Sequence, residues 1–144
     1  MKHMPQVIAV MTPFPHTVNI DDPISTAVAL MKERDFRHLP VVEHGVLRGV
    51  LSDRDVRIAA AAAGERDAAS LRVRDAFHDD AYTVEADAPL DRVAAAMAER
   101  HVGSALVTKG GKLVGVFTGT DACRALAQVL RERFPPPQPG HHAA

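Results

Sequence analysis

Displaced by 66 positions, this sequence overlays itself. Residues 17–59 align with 83–125 without a gap, and 15 of those 43 positions are identical. The matches include Asp21/Asp87, Pro23/Pro89, Met31/Met97, Gly49/Gly115 and Asp55/Asp121. Chance would leave only a few identities, so the chain is a tandem repeat. This constrains the fold strongly, because a unit of roughly 55–60 residues buries too little surface to be comfortable alone. Two copies must share a core.

Each copy carries the same run of signals. Asp21-Asp22-Pro23 predicts a helix start, with an acidic cap before the proline of the first turn. Ile24, Ala27, Val28 and Met31 follow at helical spacing, as Leu90, Val93, Ala94 and Met97 follow Asp87 and Pro89. Two apolar runs flank His44-Gly45, and two more flank Gly110-Gly111, so each copy continues as a hairpin. A second helix follows each hairpin, from Asp53 to Ala63 with Gly64 as its stop, and from Gly119 to about Arg131. Thr17-Val18 and Thr83-Val84 read as a short strand ahead of the first helix. The expected fold class is therefore α/β (α+β), two β-α-β-β-α repeats packed as a pseudo-two-fold pair. Residues 7–63 form the first unit, 64–72 the linker, 73–132 the second unit, and 133–144 a disordered proline-rich tail.

Composition removes several function classes. Seventeen Lys+Arg against eighteen Asp+Glu leave a net charge of -1, so no broad basic field awaits a nucleic-acid backbone. Five Phe, one Tyr and no Trp offer no stacking platform for single strands. No stretch approaches the ~20 apolar residues of a membrane span, and Met1-Lys2-His3-Met4-Pro5 lacks the apolar core of a signal peptide. A cytoplasmic protein with no membrane partner is expected. A lone Cys123 excludes an internal disulfide, and its place on the last helix suggests a small core residue. The eight His residues are scattered without ligand spacing, so no metal is expected.

The chemistry concentrates where a strand ends and a helix begins. Residues 49–55 read Gly-Val-Leu-Ser-Asp-Arg-Asp, and residues 115–121 read Gly-Val-Phe-Thr-Gly-Thr-Asp. A helix start presents free N–H groups and a positive dipole end, which suit an anion. The hydroxyls of Ser52 and Thr118 can donate to phosphate or ribose oxygens. The carboxylates of Asp55 and Asp121 accept only, which matches a pair of sugar hydroxyls. The plain structural alternative is that the hydroxyls are helix N-caps and the carboxylates decorate the first turn. Arg54, with Arg57, Arg66, Arg72 and Arg74, is a candidate to line an anionic surface.

The pattern Met-Thr-Pro, Thr-Val, Asp-x-Pro, Arg-His-Leu-Pro-Val-Val and Gly-x-Leu-x-Gly-Val-Leu-Ser-x-x-Asp resembles a CBS domain, named for the regulatory region of cystathionine β-synthase. The resemblance spans residues 7–132, and two copies make a CBS pair. It implies clefts between the repeats that bind adenosine-bearing ligands: AMP, ADP, ATP, S-adenosylmethionine or dinucleotides such as NAD. By position it assigns Ser52 with Asp55, and Thr118 with Thr120 and Asp121, to phosphate and ribose. Arg37 and His38 fall where basic residues contact phosphate, the planar fork of Arg suiting two oxygens at once. Gly103 and Ser104 replace that pair in the second copy, which predicts one dominant site. Val10, Met11 and Thr17, with Val73 and Thr83 opposite, stand where adenine would slot, although such residues are commonly core.

The resemblance further implies a non-enzymatic regulatory or energy-sensing module. It needs no cofactor, takes an adenine nucleotide as ligand, and acts on an effector protein. It also implies a homodimer packed through helix faces, with the 24 alanines favouring close approach. The alternative is a constitutive structural or interaction module whose clefts stay empty. An enzyme is disfavoured, since no Ser-His-Asp or Cys-His set can be assembled.

Overall fold

The structure, a computed structural model, describes residues 3–13 and 16–137. Its elements run β1 (Thr12–Pro13), β2 (Val18–Asn19), α1 (Ile24–Arg34), β3 (His38–Glu43), β4 (Val46–Ser52) and α2 (Asp53–Ala68). The second half continues β5 (Thr83–Glu85), α3 (Leu90–Arg100), β6 (Ser104–Lys109), β7 (Lys112–Thr118) and α4 (Gly119–Arg133). The mixed α/β fold and both β-α-β-β-α repeats are present. Each hairpin turns on two consecutive residues with positive φ: His44 (49°) with Gly45 (77°), and Gly110 (58°) with Gly111 (80°). Such turns match the right-handed twist of the strands they join.

Two sheets result. One has the order β2-β3-β4 and the other β1-β7-β6-β5. In each copy a short leading strand runs parallel to the hairpin's first strand, Val18 opposite Val41 and Val84 opposite Val107. The fourth strand of the larger sheet comes from elsewhere: β1 precedes the first copy yet pairs antiparallel with β7 of the second, Thr12 opposite Val116. Its counterpart is His78, which precedes the second copy and bridges Val50 in the first. The repeats have exchanged their leading segments.

The exchange is fixed by matching backbone hydrogen bonds. The N–H of Val7 donates to the Ala88 carbonyl (2.9 Å), that of Ile8 to Ala86 (3.1 Å), and that of Leu90 to Pro5 (2.9 Å). One repeat further on, Val73 donates to Asp22 (2.9 Å), Arg74 to Ile20 (2.8 Å) and Ile24 to Leu71 (2.9 Å). Side chains follow the backbone. Val73 completes the core of Val18, Ile20, Ala27, Leu39 and Leu51, whereas Val7 completes that of Val93, Met97, Val107 and Phe117. Both valines are fully buried, each contributing about 1.5–3 kcal/mol of apolar burial.

Several sequence expectations are corrected here. No side chain caps α1 or α3, which begin after Pro23 and Pro89. The Leu71 and Pro5 carbonyls take the first helical N–H groups instead, and the Asp22 carboxylate accepts from the Asn19 N–H at 2.9 Å. Gly64 does break the second helix, with φ 79° and ψ 170°, but a further helical turn reaches Ala68 inside the stretch read as linker. Cys123 is exposed rather than core, because Ala122 is the neighbour that faces the second core. Residues 135–137 carry no helix, and the remainder of the expected tail, 138–144, lies outside the described residues. Among the described residues no helix is long and apolar enough to cross a membrane.

The glycines of the strand-to-helix motifs owe their identity to this exchange. A Cβ on Gly49 would sit 1.9 Å from the His78 carbonyl oxygen, and one on Gly115 2.4 Å from the Met11 sulfur. Gly119 has nothing within 4 Å. Gly49→Ala is therefore expected to lower stability by about 3 kcal/mol, and Gly119→Ala to stay within about 0.5 kcal/mol of the parent. Urea unfolding measures both, and equal stability of the two variants would contradict the exchanged packing.

Candidate functional site

Both motifs form the same reciprocal cap. The Asp55 N–H donates to the Ser52 hydroxyl (3.1 Å), while the Asp55 carboxylate accepts the Ser52 N–H (2.9 Å). Asp121 and Thr118 repeat this at 3.3 and 2.9 Å. Such a box satisfies two N–H groups that a helix start leaves open. The structural role considered for these residues is thus real at both sites. It also leaves one oxygen of each carboxylate turned elsewhere. Asp121 Oδ1 accepts from the Thr12 hydroxyl (3.1 Å) and from Arg124 (3.2 Å). Asp55 Oδ1 lies 2.6 Å from His78 Nε2. Thr12 and His78 are themselves one repeat apart, so the exchanged segments deliver a side chain to the opposite copy's helix start.

A cleft of about 680 Å³ opens between the copies, within the range of small-molecule sites. Arg37 and His38 line it together with Thr118, Thr120 and Asp121. The basic pair of the first copy therefore meets the helix start of the second, whereas Ser52 and Asp55 are not among the lining residues. The sequence reading missed Thr12, His16, Arg34, Phe36 and Arg124, which also line the cleft. Arg34 and Arg100 are identical across the repeat, a detectable signal. Thr12 stands in the Met-Thr-Pro of the family pattern without an assigned role, and nothing marked His78, which differs from it across the repeat. The His16 and Phe36 rings lie 5.7 Å apart at 40°. Arg34 and Arg37 have no side-chain hydrogen bond or ion pair among the described residues.

His38 reaches across towards the second copy. A Cβ on Gly103 would come within 3.0 Å of its Nε2, so the departure from the basic pattern at 103 makes room for this ring. Burial holds the His38 imidazole below its usual 6.5, Asp55 and Asp53 oppose that shift, and Arg37 adds to it. The remaining candidates are placed plainly. Val10 and Met11 are half-buried against the second core and Val73 is fully buried in the first. Thr17 and Thr83 are exposed, the Thr83 hydroxyl donating to the Ala81 carbonyl at 3.3 Å. Arg54 is exposed. Of its companions, Arg57 pairs with Asp53 (3.4 Å), Arg74 with Asp21 (2.8 Å) and Arg72 donates to the Asp21 carbonyl, while the Arg66 side chain lies outside the described residues.

Two copies of one α/β unit with exchanged leading segments enclose an inter-repeat cleft at a capped helix start, the architecture of a paired-repeat module. The comparison with known families agrees: the CBS domain matches residues 7–62 and again 73–128. The chain belongs to the CBS-domain family. It is 30% identical over 130 residues to a CBS domain-containing protein of Dictyostelium discoideum, covering 83% of this chain and 89% of that one. Its structure is similar to that of AcuB from Vibrio cholerae, with TM-score 0.79 and 28% identity over 93% of this chain and 100% of the other. It is also similar to the crystal structure of CBSX2 in complex with AMP, with TM-score 0.71 and 25% identity over 88% and 98% of the two chains.

Two consequences are measurable. Asp121 is only 3% exposed and Asp55 9%, so each is a buried capping carboxylate and not merely a decoration of the first turn. Asp121→Ala strands the Thr118 N–H and the Thr12 hydroxyl, and should cost about 1–2 kcal/mol in chemical denaturation. The folded protein binds a proton at His38 less readily than the unfolded chain does. Above pH 6.5 both states are neutral there, and as pH falls through 6.5 towards the lowered folded value the unfolded chain is protonated first, so stability is lost. The melting temperature of His38→Gln should therefore fall less steeply than the parent's between about pH 7 and 5; parallel curves would contradict the burial of this ring.

Proposed function

We propose that this protein is a non-catalytic, cytoplasmic regulatory module that binds an adenosine-containing phosphorylated ligand in the cleft between its repeats. The observation that carries the reading is the meeting of Arg37 and His38 of one copy with the capped α4 start of the other. Phosphate would be received by Arg37, Arg34 and the N–H groups following Thr118, where the helix dipole and the guanidinium fork act together. Asp121, approached by the Thr12 hydroxyl, would exchange that partner for the ribose diol. The structure of CBSX2 with AMP supports the ligand class.

A ligand gripped by both copies would favour the arrangement in which the cleft fits it best, and only by its differential affinity for the alternatives. An effector protein would read that arrangement. Both capping boxes are completed by the chain's own side chains, which favours a second reading, a constitutive interaction module. Thermal unfolding separates the two. AMP, ADP or ATP at about 100 times the dissociation constant should add about 2.7 kcal/mol, guanosine analogues and inorganic phosphate should not, and Arg37→Ala should weaken binding about tenfold or more. No response to any adenosine ligand, S-adenosylmethionine and NAD included, would overturn the proposal in favour of the second reading.

We also propose that two copies associate through α4. Leu126 and Val129 stand 57% exposed along it and Phe134, just past its end, 69% exposed, a larger apolar display than the alanines singled out from sequence. Sedimentation should give twice 15.5 kDa, with Val129→Glu returning the monomer; a monomeric parent at tens of micromolar would refute the assembly.

A further inference from the structure

Position 78 is where the two halves part company. His78 Nε2 lies 2.6 Å from Asp55 Oδ1, while Asp55 Oδ2 already holds the Ser52 N–H at 2.9 Å. The histidine cannot drift away as a segment, because its N–H donates to the Val50 carbonyl (2.9 Å) and its carbonyl accepts from the Val50 N–H (3.0 Å). Both oxygens of a largely buried carboxylate are thus engaged internally, one by the Ser52 N–H and the other by the His78 imidazole. Beside it in the repeat pattern, the Arg100 guanidinium lies 4.5 Å over the centroid of the Tyr82 ring. Arg100 stands one repeat from Arg34, and Tyr82 one repeat from His16. The arginine that lines the cleft as Arg34 is therefore, at position 100, stacked on Tyr82. Gly103 and Ser104 supply no further charge.

We infer that His78 closes the second, pseudo-symmetric cleft: it fills the place at Asp55 that a ribose diol would take, so one chain binds one ligand. The inference rests on the reading of the first cleft proposed above. Asp121 also has partners, but of a different kind. The Thr12 hydroxyl is neutral and yields by rotation about one bond, and Arg124, with its side chain 73% exposed, can swing onto a phosphate. At Asp55 a nucleoside must instead displace the 2.6 Å contact of an imidazole that is 62% exposed but whose backbone is paired on both sides with Val50, which should weaken that site about tenfold or more. His78 is accordingly the determinant of how many nucleosides the module accepts.

Calorimetric titration and native mass spectrometry with AMP test this on the parent, His78→Thr (the residue at position 12) and His78→Asn, with circular dichroism reading the fold. One AMP per parent chain and two per folded His78→Thr or His78→Asn chain support the inference. Two AMP per parent chain overturn it while the proposed function stands. A folded variant that still binds one AMP also overturns it. A parent that binds none overturns both. Should neither variant fold, nuclear magnetic resonance of the parent decides: saturating AMP should move the His38 imidazole signals and leave those of His78 in place, and movement of His78 would refute the closed cleft.

Discussion

The rest of the molecule hangs on the exchange of leading segments. Neither half closes its own core: the first needs Val73, and the second needs Val7. Neither half starts its own first helix either, since the Ile24 and Leu90 N–H groups find carbonyls only on the segment preceding the other copy. An N–H left unsatisfied away from water costs about as much as a lost hydrogen bond, so the pairing is enforced at the backbone and not only by apolar contact. The cleft follows from this. Segments that cross between copies carry Thr12 and His78 to helix starts that their own copies do not contain.

The exchange also explains which parts of the molecule were legible in the sequence. The 66-residue repeat, both hairpins and the Gly64 stop are local patterns, and the chain obeys them. The partnership of 5–13 with the second copy is not local. Val7 and Val73 are the only identity between 7–13 and 73–79, so the repeat signal fades where the crossing occurs. The acidic caps failed for the same reason, because a backbone carbonyl from a distant segment outcompeted Asp22. Cys123 was misplaced because three small side chains around Arg124, those of Ala122, Cys123 and Ala125, leave helical phase undetermined.

At the site, residue type was easier to read than partnership. Ser52, Asp55, Thr118 and Asp121 were identified by motif, and Arg37 and His38 by type and place. Arg37 and His38 share a repeat with Ser52, and His38 lies opposite Ser52 in the β3–β4 ladder. In space the basic pair lines the cleft of Thr118 and Asp121 instead. Strand pairing fixes backbones, and it does not decide which way a side chain on the strand's end is carried by the neighbouring copy.

Duplication with exchange holds the scaffold symmetric and leaves the chemistry free. The hydrogen bonds made by residues 7, 8 and 90 recur at 73, 74 and 24 within 0.3 Å, and Gly49 and Gly115 both lie under a crossing segment. These positions answer to backbone geometry, where a change in one half would unseat the other. Side chains that point into the clefts answer to nothing but the cleft. Arg37 faces Gly103 in the repeat alignment, His38 faces Ser104, Thr12 faces His78, and Arg124 faces Ile58. The substitutions are also complementary: Gly103 leaves the space that His38 occupies, so loss of a cation in one half is part of what builds the basic wall of the other. A two-fold scaffold can therefore present one charged cleft, because the same crossing that ties the halves together places the residues of both at a single opening.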